Sequence, residues 1–268
     1  MLEQRDYGYL TVEVRDGIAY ATRNRPENKN RYTSDEAPEY PRFLREATAH
    51  PDVRAIVVSG AGADWFCAGE DLPSRHADAD HDVFVGSGRD PNTTPYPASE
   101  LPEGALVNAL LGNADVLQAL RTPKPIITAL NGSVAGGVLT SVLLTDVVVA
   151  ERHVRLRDMH VTAGLVSATG SMLWPMSTGI LRAKRWLLTG DWIDAEEAER
   201  IGLVTEVVDT GASLERAAAY AAHLAALRPE ALWLTKRAIN NWLITHVDDV
   251  FTPAFAAEIA LFPNQPDR

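Results

Sequence analysis

Three short stretches of the chain combine residue types able to hold a negative charge and move a proton. Phe66-Cys-Ala-Gly-Glu-Asp-Leu and Asn131-Gly-Ser-Val-Ala-Gly-Gly each read as a strand, then glycines, then the start of a helix, the first at Asp71. Glycine lets the backbone come close to a ligand, and the first N–H groups of a helix have no partner within it. Two such groups aimed at one point form an oxyanion hole, which stabilises charge developing on a carbonyl oxygen. The same glycines also serve as plain turn devices. The third stretch holds His160, whose ordinary pKa of about 6.5 suits taking and returning a proton near neutrality. Asp158 stands two residues earlier and, on an extended stretch, falls on the same face, where it orients the imidazole. The competing assignments are a structural histidine and an aspartate that caps a turn. Thr169, with Ser167 and Ser171, adds hydroxyls that either hydrogen-bond a substrate or water or sit in a loop before a helix.

Two other groupings carry less. Arg25, Lys29 and Arg31 cluster after the first strands, either as partners for phosphate or as ordinary surface cations. His76 and His81 stand among Asp78, Asp80 and Asp82, with Arg75 and Tyr96 nearby. Their spacing matches no zinc pattern, and a solvated acidic lid is the preferred reading, with no metal site; a lid that closes over the cleft offers His76, His81, Arg75 and Tyr96 as substrate contacts.

The elements that position these residues follow from pattern. Leu10 to Arg15 and Ile18 to Thr22 flank Asp16-Gly17, the signature of a tight hairpin. A helix is expected from Ser34 to about Ala49, and strands at Ala55–Ser59, Ile126–Leu130, Val147–Ala150, Val154–Arg157 and Leu203–Val208. Helices are expected at Ala105–Leu120, from Gly137 to Leu144, and then at Ser213–Arg228, Pro229–Trp242 and Pro253–Leu261. Residues 73–104 lack periodicity and form a long insertion. Strand, strand, helix repeats about three times, which points to an α/β spiral of short sheets with helices outside.

Composition limits the function classes. The 268 residues carry 36 acidic and 25 basic side chains, a formal charge of −11, with 46% hydrophobic and 23% charged residues. That is a folded, water-soluble composition, and no basic stripe offers itself to nucleic acid. One cysteine, Cys67, excludes an internal disulfide. The longest apolar run, Val142 to Ala150, is interrupted by Thr145 and Asp146 and falls far short of the roughly 20 residues of a membrane span. The N-terminus lacks a basic region followed by a long apolar stretch, so a cytoplasmic protein is expected.

Asn24-Arg-Pro, Phe66-Cys-Ala-Gly-Glu-Asp-Leu, Pro123-Lys-Pro-Ile-Ile-Thr-Ala-Leu-Asn-Gly and Leu188-Thr-Gly-Asp stand in the order found in the crotonase, or enoyl-CoA hydratase/isomerase, superfamily. Ala195-Glu-Glu-Ala-Glu-Arg-Ile-Gly-Leu-Val and Arg228-Pro-Glu-Ala extend the resemblance, which spans roughly residues 8–245. The resemblance implies a crotonase-type spiral of ββα units over residues 1–208, with the lid-like insertion inside it. It implies a helical trimerisation region over residues 209–268, in a homotrimer or dimer of trimers. The implied oxyanion hole is the backbone N–H of Glu70 with that of Gly137. The implied substrate is an acyl-CoA, held near Arg25, Lys29 and Ala68, with coenzyme A entering as part of the substrate and no tightly bound cofactor. Hydratases of the family carry two glutamates, and their positions align here with Thr140 and His160. The chain therefore resembles an atypical member, a lyase or isomerase of fatty acid metabolism in which His160 is the acid/base and simple short enoyl thioesters turn over poorly. Similar proteins that cleave a cyclic β-diketone without CoA carry a histidine at the position of His160 and an aspartate at that of Thr169. A CoA-independent retro-Claisen hydrolase is therefore the second expectation, and a catalytically inactive crotonase-fold binding protein the third.

Overall fold

The computed structural model describes Leu2, residues 5–71 and residues 114–261. The hairpin forms as patterned: β1 (Leu10–Arg15) pairs antiparallel with β2 (Ile18–Arg23), Arg15 opposite Ile18. Asp16 and Gly17 both take positive φ, 51° and 75°, as a two-residue hairpin turn of matching twist requires. The next helix is shorter than its pattern. Ser34–Glu36 is a separate 3-10 turn, and α1 (Glu39–Ala49) starts only after Pro38. Proline cannot donate to the preceding turn and disfavours helix in the residue before it, so the break falls there.

Two sheets follow from the repeating unit. The larger is ordered β1-β2-β3-β5-β7-β10 and includes β3 (Ala55–Gly60), β5 (Ile126–Leu130), β7 (Val147–Glu151) and β10 (Glu206–Val208). All its pairings after the hairpin are parallel, and β3 and β5 are buried along their whole length, as strands covered on both faces must be. The smaller sheet is ordered β4-β6-β8-β9, from β4 (Trp65–Cys67), β6 (Ser133–Ala135), β8 (Arg155–Arg157) and β9 (Ile193–Asp194). Each pass of the chain thus lays one strand in the large sheet and the next in the small one: β3 then β4, β5 then β6, β7 then β8. This is the crotonase-type spiral.

Helices close the layers. The helix before Pro123 is described over residues 114–121 (α2), and α3 is Val138–Leu143. Beyond β8 come α4 (Ala168–Thr178), α5 (Ile180–Thr189) and α6 (Ala195–Ile201). The last strand is half its expected length, because Leu203 and Val204 give their N–H groups to Ala198 in the C-terminal turn of α6. Three helices end the chain: α7 (Ser213–Ala225), α8 (Pro229–Ile244) and α9 (Thr252–Leu261), the last preceded by a π-helical turn at Val247–Phe251. Although α7 lies past residue 208, it belongs to the core: Ala217 and Ala221 pack on Ala55, Val57, Ile127 and Ala129 of the large sheet. Alanine at these positions lets the helix lie close to the strands.

Candidate active site

The parallel strands β4, β6 and β8 lie side by side, and the segment leaving the C-terminal end of each supplies part of the site. Glu70 follows β4, Gly137 follows β6, and Asp158 and His160 follow β8. The first two loops touch through glycine. Gly69 has φ +91°, and a Cβ on it would lie 3.1 Å from the carbonyl oxygen of Ala135 and 3.9 Å from Cα of Gly136, itself at φ +75°. Only glycine allows that approach. Backbone bonds from Tyr32 N–H to Gly69 O (3.4 Å) and from Asp71 N–H to Tyr32 O (2.7 Å) fix the chain on either side of Glu70. Gly137 caps α3 and is exposed, so its N–H lies outside the ladder of that helix. The proposed polar helix start beyond Asp71 lies outside the described residues.

His160 does not sit on an extended stretch with Asp158. β8 ends at Arg157, and His160 is helical (φ −53°, ψ −53°), capping the 3-10 turn Val161–Ala163. The pair meets because the chain turns: the His160 N–H and Nδ1 both reach Oδ1 of Asp158, at 3.1 and 2.7 Å. A carboxylate can only accept, so Nδ1 carries a proton and Nε2 is left with the lone pair in the neutral ring. Nε2 looks toward the first loops: a Cβ on Gly137 would be 3.9 Å from it. The other carboxylate oxygen of Asp158 accepts from Ser167 Oγ at 2.7 Å. Thr169, on the first turn of α4, is half-buried, and among the described contacts it is Ser167, two residues earlier, that serves the carboxylate. Gly170 makes room for this arrangement, since a Cβ there would lie 2.1 Å from Ser167 Oγ and 2.9 Å from Asp158 Oδ2.

A further acid joins from the far end of the chain. Oε1 of Glu258, on α9, stands 3.7 Å from His160 Nε2, and its Oε2 accepts the Ala168 N–H at 3.3 Å. Burial is the first influence on all three groups. It pushes the Glu258 carboxyl up to about 7, with the Asp158 charge adding, against the pull of His160 and the Ala168 N–H. For Asp158, burial is outweighed by the hydrogen bond and charge of His160 and the Ser167 hydroxyl, so its pKa stays below the usual carboxylate value. For His160, burial is outweighed by the bond and charge of Asp158 and the charge of Glu258, which hold the imidazole above its ordinary value. The raised Glu258 carboxyl and the raised His160 imidazole thus face each other across 3.7 Å.

The cationic cluster is partly spent. Arg25 makes a bidentate pair with Glu36, and Arg31 lies 3.3 Å from Asp71. Lys29 is exposed, with its ammonium 5.4 Å from the centre of the Trp65 ring. Ala68 is tied to it, donating its N–H to Lys29 O at 3.0 Å. Asn30 holds this loop against β4, accepting from Arg25 N–H and donating to Ala61 O and Trp65 O. A cavity of about 160 Å³ opens beside α3, bordered by Gly137, Thr140, Ser141, Tyr40 and Arg23. Thr140 therefore sits on a cavity wall one turn from the α3 cap. His76 and His81, with Arg75, Asp78, Asp80, Asp82 and Tyr96 of the lid-like insertion, lie outside the described residues. Among the described residues no three His, Cys, Asp or Glu side chains gather as a metal site, and no helix is long and apolar enough to cross a membrane.

Glu258 and Arg23 have no local motif. Glu258 is 98 positions from His160, inside an ordinary apolar helix. The one signal at Arg23 is a charge on the inward face of β2, in phase with the buried Ala19 and Ala21.

Similarity to known proteins gives the family. The family model described as enoyl-CoA hydratase/isomerase matches residues 110–266. The chain is 31% identical over 230 residues to (E)-benzylidenesuccinyl-CoA hydratase of Thauera aromatica, covering 85% of this chain and 81% of that protein. It is 29% identical to 1,2-epoxyphenylacetyl-CoA isomerase of Escherichia coli, over 90% and 86% of the two chains. Among solved structures, an enoyl-CoA hydratase/isomerase from Mycobacterium paratuberculosis superposes with a TM-score of 0.79 at 29% identity, covering 96% of this chain and 94% of that one. A matched family model over more than half the chain, a relative above 30% identity and a shared spiral lead to one assignment: the chain belongs to the enoyl-CoA hydratase/isomerase family of the crotonase superfamily.

Proposed function

We propose that the protein moves a proton next to the carbonyl of an acyl-CoA thioester, through an enolate held in an oxyanion hole. The thioester oxygen accepts hydrogen bonds from the backbone N–H groups of Glu70 and Gly137. His160 Nε2 takes a proton from the acyl carbon, charge moves onto the held oxygen, and the imidazolium returns the proton to the acyl chain. Asp158 fixes the tautomer and stabilises the imidazolium, and Glu258 exchanges a proton with Nε2. Lys29 and the backbone at Ala68 meet the coenzyme A moiety, while Arg25 is occupied by Glu36. The observation that carries this reading is the 2.7 Å Asp158–His160 hydrogen bond, with Nε2 turned toward Gly137. Hydration of short enoyl thioesters is expected to be weak, because Thr140 cannot act as a general base near neutral pH.

Titration with acetoacetyl-CoA, followed by near-ultraviolet enolate absorbance, tests the CoA site and the hole together. Tight binding with an enhanced enolate band supports the reading. Failure to bind, with release of a keto acid from a cyclic β-diketone, overturns it in favour of CoA-independent hydrolysis. Turnover of crotonyl-CoA at an ordinary hydratase rate that survives in His160→Ala overturns the residue roles.

A further inference from the structure

Arg23 is 1% exposed, the most deeply buried cation among the described residues, and its surroundings are short of negative charge. A guanidinium carries five N–H donors. Among the described residues one nitrogen donates to Tyr9 Oη at 3.1 Å and another to Ser141 Oγ at 3.2 Å, both neutral acceptors. Its Nε is buried and has no hydrogen-bond partner among the described residues. The faces of Tyr9, Tyr40 and Phe66 lie 5.2 to 5.4 Å from the guanidinium carbon. Ring faces attract a cation, but they offset only part of the loss of water around a buried charge. No carboxylate among the described residues pairs with it. Asp115, the one carboxyl among the described residues of the cavity wall, is half exposed and lies 3.8 Å from Arg45.

Arg23 itself borders a cavity. Tyr9, Tyr40 and Ser141, which surround it, all border the same 160 Å³ cavity as Gly137 and Thr140. That space holds about five water-sized volumes, enough for a carboxylate and a few methylenes. Ser141 is four residues beyond Gly137 on α3, which sets the guanidinium roughly 6 Å along the helix from the cap.

We infer that Arg23 binds a second carboxylate at the far end of the substrate's acyl group, so that the substrate class is the CoA monothioester of a short dicarboxylic acid. The inference rests on the reading of the site as an acyl-CoA site. The carbonyl is held at Gly137, the acyl chain runs along α3, and the terminal carboxylate meets the Arg23 guanidinium as a charge-assisted pair. A chain of roughly four to five carbons spans that interval.

Calorimetric titration of the full-length protein with glutaryl-CoA and valeryl-CoA tests this. The two are saturated, of equal length, and differ in one terminal carboxylate. Wild type is expected to bind glutaryl-CoA on the order of 30-fold tighter or more. Arg23→Gln is expected to abolish the preference and Arg23→Lys to keep part of it. Equal affinities in wild type, or a preference unchanged in Arg23→Gln, overturn the inference and leave the acyl-CoA reading standing. Binding of neither thioester overturns both. Should Arg23→Gln fail to fold, the wild-type pair and Arg23→Lys still decide.

Discussion

Glu258 on the last described helix stands 3.7 Å from Nε2 of His160, the ring nitrogen that faces Gly137. Its pKa of about 7 lies well above the ordinary 4.5, because burial disfavours its charge. The folded protein therefore binds a proton there that the unfolded chain has released, and stability falls as pH rises from the ordinary glutamate range through about 7. The raised pKa of His160 acts in the same direction at the upper end, contributing stability that is lost as pH rises through its folded value. Glu258→Gln is expected to remove most of the fall, worth about 3 kcal/mol at most, and to remove a limb near pH 7 from the kcat/KM profile. Denaturant titrations at pH 5 and pH 9, beside the rate profile, check both. An unchanged profile separates Glu258 from the chemistry.

The role proposed for Asp158 bears on rate more than on binding. Asp158→Asn keeps the volume but loses the charge that fixes the Nδ1 tautomer and supports the imidazolium, so kcat is expected to fall roughly 100-fold or more with KM little changed. Ser167→Ala removes one hydrogen bond to the same carboxylate and is expected to cost about tenfold or less, with about 1–3 kcal/mol of stability. Steady-state kinetics rank the two. A larger effect from the serine would reverse the order of dependence.

The tight space at Gly170 predicts a large effect from a single methyl. In Gly170→Ala the new carbon meets Ser167 Oγ at 2.1 Å and Leu187 Cδ2 at 2.9 Å, so Ser167 must leave Asp158 or α4 must shift. Stability is expected to drop by about 1–3 kcal/mol, with kcat at or below that of Ser167→Ala. Thermal unfolding and kinetics of both variants test the link, and a wild-type kcat in Gly170→Ala would break it.

Assembly is expected from the face of α8. Leu234, Ile239 and Trp242 are 57%, 64% and 70% exposed in the single chain, an apolar surface that a soluble monomer seldom leaves in water. Sedimentation velocity is expected to find a trimer or a dimer of trimers, and Ile239→Glu with Trp242→Glu to shift it to monomer. A wild-type monomer at assay concentration would remove the trimer from the reading.

Much of the fold is written in local pattern. Asp16-Gly17 carries the hairpin, and the apolar runs at Ala55 and Ile126 carry strands that the structure buries entirely. β4, β6 and β9 are two or three residues long, too short for alternation to register, although β4 and β6 lead to the glycine loops. Asp158 and His160 could be paired from their spacing, yet the contact comes from a turn at His160 rather than from a strand. Glu258 and Arg23 escape such reasoning because their meaning is tertiary: one crosses 98 residues to reach its histidine, and the other is informative only once its buried neighbours are known.

Three adjacent strand ends divide the labour in a way that has its own consequence. In the proposed mechanism the N–H groups that hold the carbonyl leave β4 and β6, whereas Asp158 and His160 leave β8, and neighbouring strands are only about 4.8 Å apart. On that mechanism, grip and chemistry are separable modules at fixed spacing. Grafting a different segment onto the end of β8 is then expected to change which bond is made or broken, while the scaffold that presents the carbonyl stays in place.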